Sequence, residues 1–264
     1  MEIINLKSEP EEKPSAPISE KLKNQITDMK SGVHDQNRVN IFLDGEFSFS
    51  LDLAQVVDYH LKIGKVLDDH ELEELKHASA YGKLYSQTLE WVLMRPRSVK
   101  ETRDHLKQKL FKIKIDNRRR AENRERIESD PEFKKLARDY RVKTRERELF
   151  GENDIELVIK KLIEKSYLDD RKFATWFIEN RFAKKGVSPL RLRQELIKKG
   201  IAQALVDELF EKSPRDEAEE IKKVIAKKGS KSDPQKLLGY LTRHGFSLDL
   251  SRELVNDYYG ILDN

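Results

Sequence analysis

A mainly α-helical fold of tandem three-helix modules, set in an elongated curved array behind a small N-terminal β-hairpin, is the class this sequence predicts. Three observations predict it. A unit of about 45 residues recurs, its two clear copies opening with Ala183-Lys184-Lys185-Gly186 and Ala226-Lys227-Lys228-Gly229. From residue 53 onward the apolar residues fall at helical spacing. The 264-residue chain is only 37% apolar and 38% charged, whereas an ordinary globular domain is roughly 45–50% apolar. Many short amphipathic helices suit that composition better than one thick core.

At the N-terminus, Ile3, Ile4 and Leu6 precede a polar, proline-bearing stretch over 7–36 that has the composition of a linker. In 38–52, Val39, Ile41 and Leu43 alternate on one side, Asp44-Gly45 follows, and Phe47 and Phe49 resume the pattern. This is a hairpin, because Asp-Gly accepts the positive φ values of a type I′ turn. Its apolar face needs cover, from residues 3–6 as a third strand or from the helix that follows. Short helices are expected over 53–61 and 68–76, separated at Ile63-Gly64.

Tyr81, Leu84, Tyr85, Leu89 and Val92 then give a helical stripe that Arg95-Pro96 closes. Ser98 with Glu101 fits a capping box, and Thr102, Leu106 and Leu110 continue from it. Later in the chain the same plan is clearer. Leu192, Leu196 and Gly200 align with Leu237, Leu241 and Gly245, and Ser98 aligns with Ser188. Ser188-Pro189 and Asp233-Pro234 supply a capping side chain before a first-turn proline. Lys198-Lys199-Gly200 and Arg243-His244-Gly245 put cations and a left-handed glycine at the helix ends. Helices are expected from Asp154, over 171–183 and over 216–227.

The stretch 112–152 interrupts the first module. Residues 118–147 hold 12 Lys or Arg against 7 Asp or Glu, a surplus of five positive charges that the whole chain's +4 conceals. Two helical pieces broken near Asp130-Pro131 are expected, the second with Phe133, Leu136, Ala137 and Tyr140 on its apolar face. The domain boundaries that follow are 1–37 for the apolar start and linker, 38–79 for the hairpin and short helices, 80–170 for the first module with its insertion, 171–215 for the second and 216–264 for the third.

An enzyme is not what these residues suggest. The chain has no cysteine, so disulfides, Cys-ligated zinc and a thiol nucleophile are excluded. It has no phosphate-binding glycine loop, no dinucleotide fingerprint and no nucleophile elbow. The six histidines form no ligand pair; His70 and His77, seven apart, are read as surface histidines. Adjacent Asp169-Asp170 is a helix cap before it is a catalytic pair. Tyr167, Leu168, Phe173, Trp176 and Phe177 are read as the core joining successive modules, with a base-stacking platform as the rarer use. Neither a secretory leader nor a run of about 20 apolar residues is present, so a cytoplasmic chain with no membrane contact, no metal and no cofactor is expected.

Two basic surfaces are candidates for contact with a polyanion. Arg118, Arg119, Arg120, Arg124 and Arg126 lie in the insertion; the alternative is a solvated arm whose charges pair among themselves. Arg181, Lys184, Lys185, Arg191, Arg193, Lys198 and Lys199, with Lys227, Lys228 and Arg243, fall on successive turns of the repeats. No base-reading motif accompanies either set.

RVNIFLDGEFSF at 38–49, RPRSVKETRDHLKQK at 95–109 and YLDDRKFATWFIENRFAKKGVSPLRLRQELIKKGI at 167–201 resemble the RecX family of regulators of the RecA recombinase. The likeness covers 38–111 and 153–259. It implies a non-enzymatic modulator that binds in the groove of the RecA filament on single-stranded DNA. Such binding lowers filament growth or stability, ATP hydrolysis, strand exchange and repressor cleavage. The expected partners are therefore the RecA filament and single-stranded DNA, with double-stranded DNA as a further candidate, and the free chain is expected to be monomeric. Without the resemblance, a general nucleic-acid-binding helical protein is the other reading. Leu110, where the family has glycine, and the additions at 7–36 and 112–152 depart from the family pattern.

Overall fold

A computed structural model describes residues 23–32, 36–139, 150–212 and 215–261. The short apolar start, most of the proline-bearing stretch, Tyr140 and the end of the basic insertion lie outside the described residues. The chain divides into two compact units, Met1–Lys76 and His77–Asn264.

In the first unit, strands β1 (Ile26–Ser31), β2 (Arg38–Leu43) and β3 (Glu46–Asp52) form an antiparallel sheet in that order. The hairpin expected from the sequence joins β2 to β3, pairing Ile41 with Phe49 and Val39 with Leu51. Asp44 and Gly45 have φ of 52° and 90°, the two positive values a type I′ turn requires. The Asp44 carboxylate accepts from the N–H groups of Asn24 (2.9 Å) and Gln25 (3.1 Å), fastening the turn to the start of β1. Ile26, Val39, Ile41, Leu43, Phe49 and Leu51 are buried on one face.

The third strand is a correction to the sequence reading, because β1 falls inside the stretch taken as linker. In Ile-Thr-Asp-Met-Lys-Ser only Ile26 is fully buried, so an edge strand of this composition shows almost no alternation. Helix α1 (Leu53–Asp58) follows, with Asp52 and Gln55 bonding reciprocally at 2.8 and 3.0 Å. Helix α2 (Asp69–Leu93) is a single helix of 25 residues. The sequence reading ended a short helix at residue 76, but no proline or capping residue stops the chain there, and Gly82 is accommodated within the helix.

In the second unit the repeat is visible as three groups of helices. The C-terminal part of α2, α3 (Val99–Ser129) and α5 (Glu152–Glu164) enclose Leu84, Leu106, Leu110, Ile155, Val158 and Leu162. Helices α6 (Asp170–Asn180), α7 (Pro189–Lys198) and α8 (Gln203–Lys212) enclose Phe173, Phe177, Leu192, Leu196 and Val206. Helices α9 (Glu217–Lys228), α10 (Pro234–Arg243) and α11 (Leu248–Tyr259) enclose Ile221, Leu237, Leu241 and Val255. Ser188 and Asp233 cap α7 and α10 ahead of first-turn prolines. Gly200 and Gly245, with φ of 85° and 83°, end the same helices.

Helix α3 runs for 31 residues, about 46 Å at 1.5 Å per residue, straight into the segment that the sequence marked as an insertion from 112. Leu110 stands where the other modules have glycine; without a residue suited to the left-handed cap, the helix continues. It stops at Asp130, whose carboxylate accepts from Glu132 N–H (2.9 Å) and Phe133 N–H (3.1 Å) to start α4 (Pro131–Asp139). The expected break at Asp130-Pro131 is present. The Arg126 guanidinium lies 4.1 Å from the Phe133 ring centroid, bracing the two helices against each other.

Candidate functional site

The joints between modules are made by one device used twice. The Ser98 hydroxyl accepts from Glu101 N–H (3.0 Å) as the cap of α3 and donates to the Lys199 carbonyl at 2.7 Å. The Ser188 hydroxyl accepts from Arg191 N–H (3.2 Å) as the cap of α7 and donates to the His244 carbonyl at 2.6 Å. Each carbonyl immediately precedes the left-handed glycine of the next module. The positive N-terminus of one module's second helix therefore faces the negative C-terminus of its successor's. The approach is close: a Cβ on Gly200 would lie 2.5 Å from Lys100 Cβ, and one on Gly245 would lie 3.1 Å from Ser188 Oγ. At the third module the equivalent cap is Asp233, whose carboxylate accepts from Lys236 N–H at 2.8 Å and has no proton to donate onward.

Ionic contacts reinforce both joints. Between the first and second modules, Glu101 receives Arg95 at 2.6 Å, Arg97 at 3.4 Å and Lys199 at 3.5 Å. Its carboxylate is thus drawn to these cations and does not return to the Ser98 N–H, so the expected capping box is only half made. Arg97 lies over Trp91 at 3.7 Å, and Trp91 stacks on His105 at 4.1 Å. Asp170 accepts from Val99 N–H at 2.8 Å, and its pKa is raised by burial against the pull of that bond.

Burial pushes the Glu101 carboxyl up, but the Arg95 hydrogen bond and the charges of Lys199, Arg95 and Arg97 hold it below its ordinary 4.5. A depressed carboxyl contributes stability that is complete above its unfolded pKa and lost as the pH falls through the folded one. Acid titration of the full chain below pH 4.5 is therefore expected to loosen this joint. Glu101→Gln should flatten that limb of a stability-against-pH curve; an unchanged limb would remove Glu101 from the joint's ionic balance.

Between the second and third modules, Glu220 is almost fully enclosed. It accepts from Val187 N–H (3.0 Å), Arg215 (2.6 Å) and Lys223 (2.7 Å). Arg215 also donates to the carbonyls of Ile178 (3.1 Å) and Arg181 (2.7 Å), closing the end of α6. Gly186, at φ 78°, packs directly on the Glu220 carbonyl and Val224. Sequence reasoning passed over Arg215 and Glu220, since neither belongs to a motif or to the aligned repeat positions.

The candidate cations separate into two groups. Arg181 pairs with Glu195 at 2.6 Å and covers Phe182 at 3.8 Å. Arg191 pairs with the same Glu195 at 3.0 Å, Arg193 with Asp207, and Lys199 with Glu101. These four are committed within the helical unit. Lys184, Lys185, Lys198, Lys227 and Arg243 are exposed, and Lys228 lies 4.2 Å from the Tyr240 ring centroid. On α3, Arg118, Arg119, Arg124 and Arg126 are exposed and Arg120 is half-buried, with Arg118 3.5 Å from Glu122.

The aromatic residues divide as well. Leu168 belongs to the first module's core, and Phe173 and Phe177 to the second's. Tyr167, expected in the core, is 43% exposed, its neighbour Leu168 having taken the inward place after the tight turn at Ser166. Trp176 is half-buried, with Arg95 5.6 Å from its centroid. Asp169 caps α6 by accepting from Arg171 N–H (2.8 Å) and Lys172 N–H (3.0 Å).

Two grooves lie beside the joints and share Phe182. One, about 380 Å³, carries Arg95, Arg181 and Lys199 together with Glu195 beneath Trp176 and Phe173. The other, about 290 Å³, carries Lys185, Arg191, Lys227 and Lys228 with Tyr240 and His244, and among the described residues no acidic side chain lines it. Among the described residues no cluster of three or more His, Asp or Glu could hold a metal ion, and no helix is long and apolar enough to cross a membrane.

Comparison with known proteins matches residues 24–68 to the family model described as the regulatory protein RecX N-terminal domain, and 169–209 to the RecX second three-helix domain. The first match includes β1, in agreement with its place in the sheet. The chain is 29% identical to regulatory protein RecX of Bacillus licheniformis over 233 residues, covering 85% of this chain and 74% of the relative. It is 28% identical to that of Bacillus subtilis strain 168 over the same length and coverage. To that of Listeria monocytogenes serotype 4b strain F2365 it is 25% identical over 248 residues, 90% of this chain and 77% of the relative. A crystal structure of regulatory protein RecX superimposes with a TM-score of 0.55 at 22% identity, over 89% of this chain and 99% of that one, a likeness of fold.

Proposed function

The chain belongs to the RecX family, and on that premise we propose that it is a non-catalytic modulator of the RecA recombinase, mainly an inhibitor. It binds as a monomer, in the cytoplasm, in the groove of the RecA filament on single-stranded DNA, and reduces the filament's growth or stability. ATP hydrolysis, strand exchange and repressor cleavage fall as consequences.

The observation that carries this reading beyond the family is the serial joint. Ser98 and Ser188 fasten three modules end to end by the same contact, at 2.7 and 2.6 Å. A chain of similar units in fixed succession suits a partner that itself repeats, because each module's weak contact raises the effective concentration of the next. The exposed arginines of α3 and the acid-free groove favour a second reading, general binding to nucleic acid.

RecA ATPase measured on single-stranded DNA separates the two. Under the first reading, inhibition appears at concentrations of this protein far below those that saturate bare DNA. Inhibition only when the DNA itself is sequestered would give the second reading the place of the first.

A further inference from the structure

We propose that the 290 Å³ groove at the second joint is a phosphate clamp for the backbone of single-stranded DNA, assembled only when the second and third modules are locked together. The proposal rests on the RecA-filament reading for its biological setting but is tested without RecA.

The two grooves differ in charge balance, and that difference selects between them. In the larger one every cation has a carboxylate partner: Arg95 and Lys199 on Glu101, Arg181 on Glu195. A phosphate entering it would have to displace an ion pair. In the smaller one, among the described residues, Arg191 alone has a carboxylate partner, Glu195. Lys185 and Lys227 stand exposed on its margins, and Lys228 lies over Tyr240. Glu220, the nearest buried carboxylate, is turned away into its bonds with Val187 N–H, Arg215 and Lys223. A concave surface carrying several cations and no acid concentrates positive potential and draws in anions.

The occupant is recognised by charge. His244 stacks on Tyr240 at 3.9 Å while Lys228 sits 4.2 Å from the Tyr240 centroid, so this ring already has company from a second ring and a cation. Phe182 is covered by Arg181 at 3.8 Å. Rings occupied in this way are poor platforms for bases, which leaves the phosphodiester as the group to be held and makes binding indifferent to sequence.

The lysines come from both modules. Lys185 precedes the Gly186 contact of the second, and Lys227 and Lys228 end α9 of the third. A backbone phosphate bound between them tightens the same joint that Ser188 and Arg215 hold from within. Bound DNA therefore raises the thermal midpoint of the helical unit.

The test uses the full chain and a short fluorescein-labelled oligothymidylate, with affinity measured across a salt series. Lys185→Ala/Lys227→Ala is expected to weaken binding about tenfold and to lower the slope of log affinity against log salt by roughly 1.4, from about 0.7 per single-strand phosphate contact. The oligonucleotide's effect on the thermal midpoint is lost with it. Lys165→Ala/Lys172→Ala removes equal charge from exposed positions outside the groove and outside the candidate cations, and should change these quantities far less. Equal losses from the two double variants, or none from the first, would overturn the proposal. So would displacement of the oligonucleotide by oligoglutamate at matched charge, which would make the groove a site for acidic polypeptide. If the wild-type chain fails to inhibit RecA while the lysine result holds, the filament reading falls and the clamp stands.

Discussion

Gly186→Ala is expected to destabilise the helical unit by about 3 kcal/mol, through left-handed strain and overpacking together. The residue sits at φ 78°, where an alanine is strained, and its new methyl would press on the backbone carbonyl of Glu220 and come within 2.8 Å of Val224 Cγ2. A carbonyl in the first turn of α9 cannot retreat without dragging Glu220 from Val187 and Arg215. Gly260→Ala is the control, since φ there is 65° and nothing lies within 4 Å of the added carbon. It should show the left-handed cost alone, about 1 kcal/mol. Urea denaturation of the two variants measures the contact as their difference; indistinguishable midpoints would mean that the joint is not closely packed at Gly186.

Arg215→Ala should cost a similar amount, about 3 kcal/mol, for a different reason. The Arg215 and Glu220 side chains are 13% and 3% exposed and meet at 2.6 Å. Removing the arginine leaves a buried carboxylate with Lys223 as its remaining cation, and it frees the carbonyls of Ile178 and Arg181 as well. A mutant cycle with Glu220→Gln separates these effects, because glutamine keeps an acceptor for Val187 N–H and removes the charge. The double variant is expected to lose clearly less than the sum of the singles. Strict additivity would show that the arginine acts only on the two carbonyls.

These two variants also bear on function, since both act at the joint that forms the phosphate groove. Each should weaken oligothymidylate binding without removing a cation from the groove's rim. The Ser188 contact lies at the same junction and pulls in the same direction.

Much of the helical unit was legible one residue at a time. Ser188-Pro189 and Asp233-Pro234 began helices where expected, and Gly200 and Gly245 ended them. Caps and left-handed glycines work through bonds to residues a few positions away, so the signal is carried locally. The same logic explains α3: Leu110 cannot take the glycine's role, and the helix runs on to Asp130. Strand β1 carries little sequence pattern because it is an edge strand with one fully buried residue, and composition does not distinguish which of the adjacent Tyr167 and Leu168 turns to the core.

The binding surface was legible only as a collection of cations. Arg181, Arg191, Arg193 and Lys199 look no different in sequence from Lys184, Lys185, Lys198 and Lys227. The first four are drawn to carboxylates on other turns and helices, and the other four remain at the surface. The repeat, the helices and their ends follow from the order of the amino acids, because periodicity and contacts within a turn set them. Tertiary structure alone decided which charges stay available and how one module grips the next. Those outcomes depend on groups such as the Ser98 hydroxyl and the Lys199 carbonyl, 101 residues apart in the chain and 2.7 Å apart in the fold, and no local pattern encodes a distance of that kind.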